Sequence, residues 1–165
     1  MSELHSAGPD HTRELGRRLG AASSRGTVLA LVGPLGAGKT QLTKGVAEGL
    51  GVTSVVNSPT FVLMNEHLGR LPLYHVDAYR LEDPDDAFAA GLLDDRQAGG
   101  VTVVEWADRL SGWLPADRLE IRMDPVQGEP MRRTLRWRAL GAAHTALADR
   151  ALADGARADE VAAAT

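Results

Sequence analysis

The chain has 165 residues and a formal charge of −4, with a pI near 5.7, which excludes a strongly basic nucleic-acid binder working by bulk electrostatics. It has no cysteine, which excludes disulfides, Cys-ligated zinc, iron–sulfur clusters and thiol catalysis. Its length suits one domain, and with 44% hydrophobic residues but only 3 Trp, 2 Tyr and 2 Phe the core must rest on Leu and Val.

Residues 1–9 are polar, carry Gly8 and Pro9, and read as a loose N-terminal arm. Asp10 or Thr12 can cap a helix that places Leu15 and Leu19 on one face. Val28 to Val32 is a continuous apolar run, as expected of a strand buried on both faces of a parallel sheet. A glycine-rich turn follows, then a helix from Lys39 to Leu50 with Leu42, Val46 and Leu50 on one stripe and Gly51 at its C-cap. Phe61 to His67 and Leu73 to Tyr79 read as strands joined by a turn at Gly69-Arg70. Asp83-Pro84-Asp85-Asp86 starts a helix that ends near Gly91. Val101 to Val104 is a second buried strand, and Ala107 to Leu114 a short helix stopped by Pro115. Leu119 to Met123 and Thr134 to Leu140 form a closing strand pair, with residues 124–131 as a loop between them. From residue 142 the chain is Ala-rich, with 11 Ala in the last 24 residues, and reads as a tail that is helical or disordered. The division is therefore a domain over 1–141 and a tail over 142–165. No apolar stretch of signal-peptide length occurs between Met1 and Gly20, and the longest apolar runs are too short to span a bilayer. A soluble cytoplasmic protein is expected.

Gly33-Pro34-Leu35-Gly36-Ala37-Gly38-Lys39-Thr40 matches G-x-x-x-x-G-K-[ST], the P-loop. The glycines let backbone N–H groups turn inward onto phosphate oxygens, and the following helix aims its positive end at the same anion. Lys39 then reaches the β- and γ-phosphates and the Thr40 hydroxyl ligates Mg²⁺. A buried strand before the motif and an amphipathic helix after it are the context the motif needs. Such a site also needs an acid at the end of a neighbouring strand. Glu105, after Val101 to Val104, is the better candidate, because a carboxylate there lands at the carboxyl edge of the sheet. Asp77, after Leu73 to Val76, is the second. Ser58-Pro59-Thr60 lies where P-loop enzymes often carry a switch hydroxyl that senses the γ-phosphate, and reads equally as a simple Ser–Pro turn. His75 reads as a packed strand residue rather than a base, Trp113 and Trp137 as core or edge packing. Arg132, Arg133, Arg136 and Arg138 form a basic cluster, with Arg136 and Arg138 on one face of the last strand.

The Asp-x-x-Gly that a GTPase carries after a strand and its Asn-Lys-x-Asp for guanine are missing, and no arginine-rich lid or second domain for an acceptor is evident. A small ATPase with little substrate apparatus remains. Gly-Pro-Leu-Gly-Ala-Gly-Lys-Thr (33–40), Asn-Ser-Pro-Thr-Phe (57–61), His-Val-Asp-Ala-Tyr-Arg-Leu (75–81) and Val-Glu-Trp-Ala (104–107) together resemble the TsaE family, bacterial P-loop ATPases of tRNA threonylcarbamoyladenosine biosynthesis. The match runs in order from Leu15 to Arg138.

The resemblance implies an α/β P-loop NTPase fold: a small, mostly parallel sheet flanked by helices, with an antiparallel portion. It implies ATP bound through Gly33, Leu35, Gly36, Ala37, Gly38, Lys39 and Thr40, with Mg²⁺ held by Thr40 and Glu105. Asp77, Ser58 and Thr60 would lie beside the γ-phosphate and Trp106 near the nucleotide. Lys39, Asp77, Glu105 and Thr60 are then the catalytic set, and Arg132 the late basic residue that approaches the nucleotide. Pro9 to Thr12 would face the adenine. Pro34, where many members carry Asp, points outward and leaves phosphate binding intact. The implied activity is a weak, partner-dependent ATP hydrolysis needed for threonylcarbamoyl transfer to adenosine 37 of tRNAs reading ANN codons. The implied partners are TsaD and TsaB, with tRNA contacted only through that complex. A nucleotide-dependent binding switch without required hydrolysis and a small-molecule kinase remain as other readings.

Overall fold

Val28 to Val32 becomes strand β2, buried along most of its length, at the centre of a seven-stranded mixed sheet. The computed structural model describes residues 2–57, 64–81, 95–110 and 112–153. The other strands are β1 (Ser2–Ser6), β3 (Met64–Leu68), β4 (Pro72–Asp77), β5 (Val101–Glu105), β6 (Arg118–Val126) and β7 (Glu129–Leu140). Their order is β1-β7-β6-β2-β5-β4-β3. The pairs β6–β2, β2–β5 and β5–β4 are parallel. The antiparallel portion flanks them on both sides, as β4–β3 at one edge and β6–β7–β1 at the other.

Side-chain alternation sorts the two faces. Leu29, Leu31, Leu73, Val101, Val103 and Ile121 face helices α1 (Pro9–Ala22), α2 (Lys39–Gly49) and α3 (Ala142–Ala151). Ala30, Val76 and Val104 face the opposite way, under a short 3-10 helix at Ala107–Leu110. The expected short helix is thus one 3-10 turn, ended where Gly112 takes φ +87°. No helix among the described residues is long and apolar enough to cross a membrane. The helix expected from Asp83 lies outside the described residues.

Three expectations are corrected. Residues 2–6 are not a loose arm: β1 pairs with β7, placing Leu4 opposite Leu135 and 1% exposed. The buried Ser6 hydroxyl meets Thr12 Oγ1 at 2.7 Å and donates to Gly8 O at 2.9 Å. Neither Asp10 nor Thr12 caps α1; the helix starts with Pro9 at its first position, preceded by Gly8, without a side-chain cap. Residues 124–131 are not a loop: β6 and β7 extend through them, leaving only Gln127 and Gly128 as the turn, with Gly128 at φ +78°.

The Ala-rich segment begins as α3, whose Leu147, Ala148 and Ala151 join the main core. His144, also buried, accepts a hydrogen bond from Val28 N–H at its Nε2, 3.0 Å away. Burial lowers the pKa of His144 against an opposing pull from Asp117. The unfolded imidazole titrates near 6.5, so below that pH the unfolded chain takes up a proton that the native ring refuses. Stability from this group is present above about pH 6.5 and lost as pH falls. His67, lowered by burial and by His75, acts with the same sign. The melting temperature is expected to drop by a few degrees between about pH 7.5 and pH 5.5, and by less in His144→Gln. The glutamine keeps an acceptor for Val28 but does not titrate, so an equal drop in both proteins would refute the assignment.

Candidate functional site

The P-loop leaves the carboxyl end of β2 and enters α2. Gly33, Gly36 and Gly38 sit at φ +154°, +78° and +102°, conformations that L side chains rarely adopt. A Cβ on Gly33 would also strike the Met123 carbonyl. Pro34 is exposed, as expected. The loop therefore turns toward the N-terminus of α2 at one spot, with the Ala37 N–H donated back to Pro34 O at 3.1 Å.

Lys39 is 5% exposed. Its Nζ donates to Gly33 O at 2.6 Å and Pro34 O at 2.8 Å, and lies 4.0 Å from the centre of the Trp106 ring. Burial lowers its pKa, opposed by the charges of Glu105, Asp108 and Asp77. Thr40, in the first turn of α2, donates from Oγ1 to Glu105 Oε1 at 3.0 Å.

Glu105 ends β5 and Asp77 ends β4, directly opposite each other in the ladder. Both share the parity of Val103 and Leu73, so both face α2. Asp77 Oδ1 accepts the Tyr79 N–H at 2.9 Å. Burial raises the Asp77 pKa and the Glu105 charge adds to this, while the Tyr79 amide, His75 and Lys39 oppose it. Leu35 to Gln41, Asp77, Tyr79, Glu105 and Trp106 enclose a pocket of about 370 Å³. The structure thus brings together Leu35, Gly36, Ala37, Gly38, Lys39, Thr40, Asp77, Glu105 and Trp106. Ser58 and Thr60 lie outside the described residues.

Trp106 takes φ +58°, in the left-handed region, a strained conformation for a bulky residue of the kind that clusters at functional sites. The turn is held by Ala78 N–H on Glu105 O and Arg109 N–H on Trp106 O, both at 3.0 Å. It turns the indole over Lys39. The Tyr79 ring lies 4.8 Å from that of Trp106, and the Arg109 guanidinium sits 5.3 Å from the Tyr79 ring.

Arg132 is not the basic residue at the loop. Its Nη1 lies 3.8 Å from Glu129 Oε1, whereas Arg133 donates from Nη2 to Gly36 O at 3.1 Å. With Pro9, Thr12, Gly36, Gly38, Gln41 and Met131, Arg133 lines a smaller recess of about 110 Å³ along the same loop. Arg136 and Arg138 do share an exposed face, where they pair with Glu3 at 2.7 Å and Glu120 at 3.0 Å. Trp137 is buried, and Trp113 is 43% exposed.

The oxygen donors at Thr40 and Glu105 are hard ligands of the kind Mg²⁺ takes. No group of three or more His, Asp or Glu suited to a metal occurs among the described residues, so such an ion would draw its remaining ligands from phosphate and water. The residues present fit a phosphate-bound Mg²⁺ rather than an all-protein cage.

A family model described as threonylcarbamoyl adenosine biosynthesis protein TsaE matches residues 6–134. The Bacillus subtilis tRNA threonylcarbamoyladenosine biosynthesis protein TsaE is 47% identical over 114 residues, covering 68% of this chain and 71% of that protein. The Streptomyces coelicolor protein of the same description is 48% identical over 120 residues, 71% of this chain and 81% of its own. The crystal structure of Bacillus subtilis YdiB superposes with a TM-score of 0.74 at 34% identity, over 95% of each chain.

Proposed function

The chain belongs to the TsaE family, and from that premise we propose that it is a Mg²⁺-dependent ATPase working in the cytoplasm with TsaD and TsaB. The family serves tRNA threonylcarbamoyladenosine biosynthesis. The observation that carries the reading is the Thr40 hydroxyl 3.0 Å from the buried Glu105 carboxylate, beneath a P-loop whose lysine points into the same pocket.

The N–H groups of residues 36–40 would hold the phosphate oxygens and Lys39 would exchange its loop carbonyls for the β- and γ-phosphates. Mg²⁺, held by Thr40 and Glu105, would neutralise charge that develops on the phosphates. Asp77, whose burial strengthens its hold on a proton, is suited to orient the attacking water and take its proton. Trp106 shields Lys39 from solvent. Ser58 and Thr60 would supply hydroxyls that sense the γ-phosphate.

The test is a tRNA modification assay reconstituted from TsaB, TsaD, tRNA, ATP and a threonylcarbamoyl donor, with and without this chain. Modification should require the chain, with release of free phosphate. Full modification in its absence would sink the proposal, and transfer of phosphate to an added metabolite would instead favour a kinase.

The same reading separates two neighbouring arginines. Arg133→Ala removes a side chain that bonds to the loop and should weaken ATP binding about fivefold, the size of one partly exposed hydrogen bond. Arg132→Ala should leave the affinity unchanged. Equilibrium titration of each variant with a fluorescent ATP analogue decides it, and the reverse ranking would restore Arg132 to the site.

A further inference from the structure

Glu105 has a side chain 3% exposed, and a carboxylate so buried needs partners for its lone pairs. Thr40 meets Oε1. His75 meets Oε2 through Nε2, and the His75 side chain is fully buried. The contact follows from register. His75 pairs with Val103, one side-chain step before the Asp77–Glu105 pair, and has the parity of both acids. Diagonal neighbours on adjacent strands lie within reach of long side chains. The other ring nitrogen, Nδ1, has no hydrogen-bond partner among the described residues, so the ring's polar tie there is to Glu105.

We propose that His75 is a positioning residue that pins one oxygen of Glu105 so that the other stays aimed at Thr40 and at the cation the two would share. The last torsion of a glutamate side chain is broad and nearly two-fold. With only Thr40 to hold it, the carboxylate loses its defined direction whenever that hydroxyl turns toward a cation. The imidazole sets the direction from the side opposite the pocket. Outer partners of this kind tune metal affinity about 10- to 100-fold. The inference rests on the ATP and Mg²⁺ reading above.

The experiment is a Mg²⁺ titration of the full chain at fixed ATP, followed by tryptophan emission, beside ATP binding in EDTA. In His75→Leu the Mg²⁺ half-saturation point should rise about 10- to 100-fold, while metal-free ATP affinity stays at the wild-type value. His75→Gln, whose amide nitrogen reaches about as far as Nε2, should restore the wild-type midpoint. A role in packing alone would not be rescued in this way. An unchanged midpoint in His75→Leu, or a glutamine variant as impaired as leucine, overturns the proposal. If the leucine variant does not fold, the comparison passes to His75→Gln and His75→Asn: a shift in Asn alone supports it, equal behaviour refutes it. Wild-type protein that binds no ATP would overturn the parent reading first, an outcome distinct from an unshifted midpoint in a protein that binds.

Discussion

Lys39→Ala should cut ATP affinity about 30- to 100-fold and abolish any tRNA modification that depends on this chain. A hydrogen bond from a charged donor contributes about 1.5 to 3 kcal/mol, and Lys39 makes more than one in the pocket. In the structure its Nζ holds Gly33 O and Pro34 O. Both carbonyls belong to the loop that would receive the phosphates, so the ammonium is already aimed at the proposed site and would need no large rearrangement. Burial lowers its pKa, which measures the desolvation the charge suffers, while Glu105, Asp108 and Asp77 work to keep it charged. A phosphate chain would add negative charge to the same pocket and strengthen that hold. The backbone amides remain in the alanine variant, so weak binding persists. The ring of Trp106 loses the cation lying 4.0 Å from its centre, and its emission should change even without nucleotide. Nucleotide titration and a melting curve separate the outcomes. Affinity within about threefold of wild type, with the fold intact, would remove Lys39 from the phosphate site.

The glycine-rich loop between β2 and α2, both strand-end acids and the α/β order were legible because each is local. A P-loop needs its glycines at fixed offsets, and a buried strand announces itself as an apolar run. The tie between His75 and Glu105 was not local. It depends on the register of β4 against β5, which sets side-chain parity across two strands separated by the whole span from 78 to 100. That Arg133 rather than Arg132 meets the loop at Gly36 O has a sharper cause. Leu135 and Trp137 face the core, and Arg133 shares their parity, whereas Arg132 shares that of the exposed Arg136 and Arg138. Alternation alone would have chosen Arg133 had β7 been extended back to Glu129. Pro125 and Pro130 argued against that extension. Pro125 is accommodated because the ladder breaks register beside it, at the Pro125–Val126 irregularity, where the missing N–H costs little. The edge strand β1 was illegible for a different reason: one apolar residue, Leu4, carries the whole signal.

A second expected result concerns the helix that presents Lys39 and Thr40. Gly45→Ala should lower stability by about 2 kcal/mol, although alanine is the better helix former by about 1 kcal/mol. Helices α1 and α2 cross through four glycines, spaced four apart on each helix. A Cβ on Gly16 or Gly20 would collide with the carbonyls of Leu42 or Val46, and one on Gly45 or Gly49 with those of Arg13 or Arg17. The obstacle in each case is backbone, which cannot swing aside as a side-chain tip can. Overpacking of this sort costs about 3 kcal/mol at the upper end of its usual range, which outweighs the propensity gain. For a chain of this size that is a drop of roughly 4–8 °C in melting temperature. Gly51→Ala serves as the comparison. Gly51 has open space around it but sits at φ +75°, so its cost is backbone strain alone, about 1 kcal/mol. The two variants should also differ in function. Relief of the Gly45 clash moves α2 away from α1, and α2 carries Thr40 toward Glu105. Mg²⁺-dependent ATP binding should therefore weaken in Gly45→Ala and not in Gly51→Ala. Equal stability loss in both variants, or a Gly45→Ala protein as stable as wild type, would show that the helices separate more cheaply than the backbone contact requires and that the glycine contact does not set the position of the loop before α2.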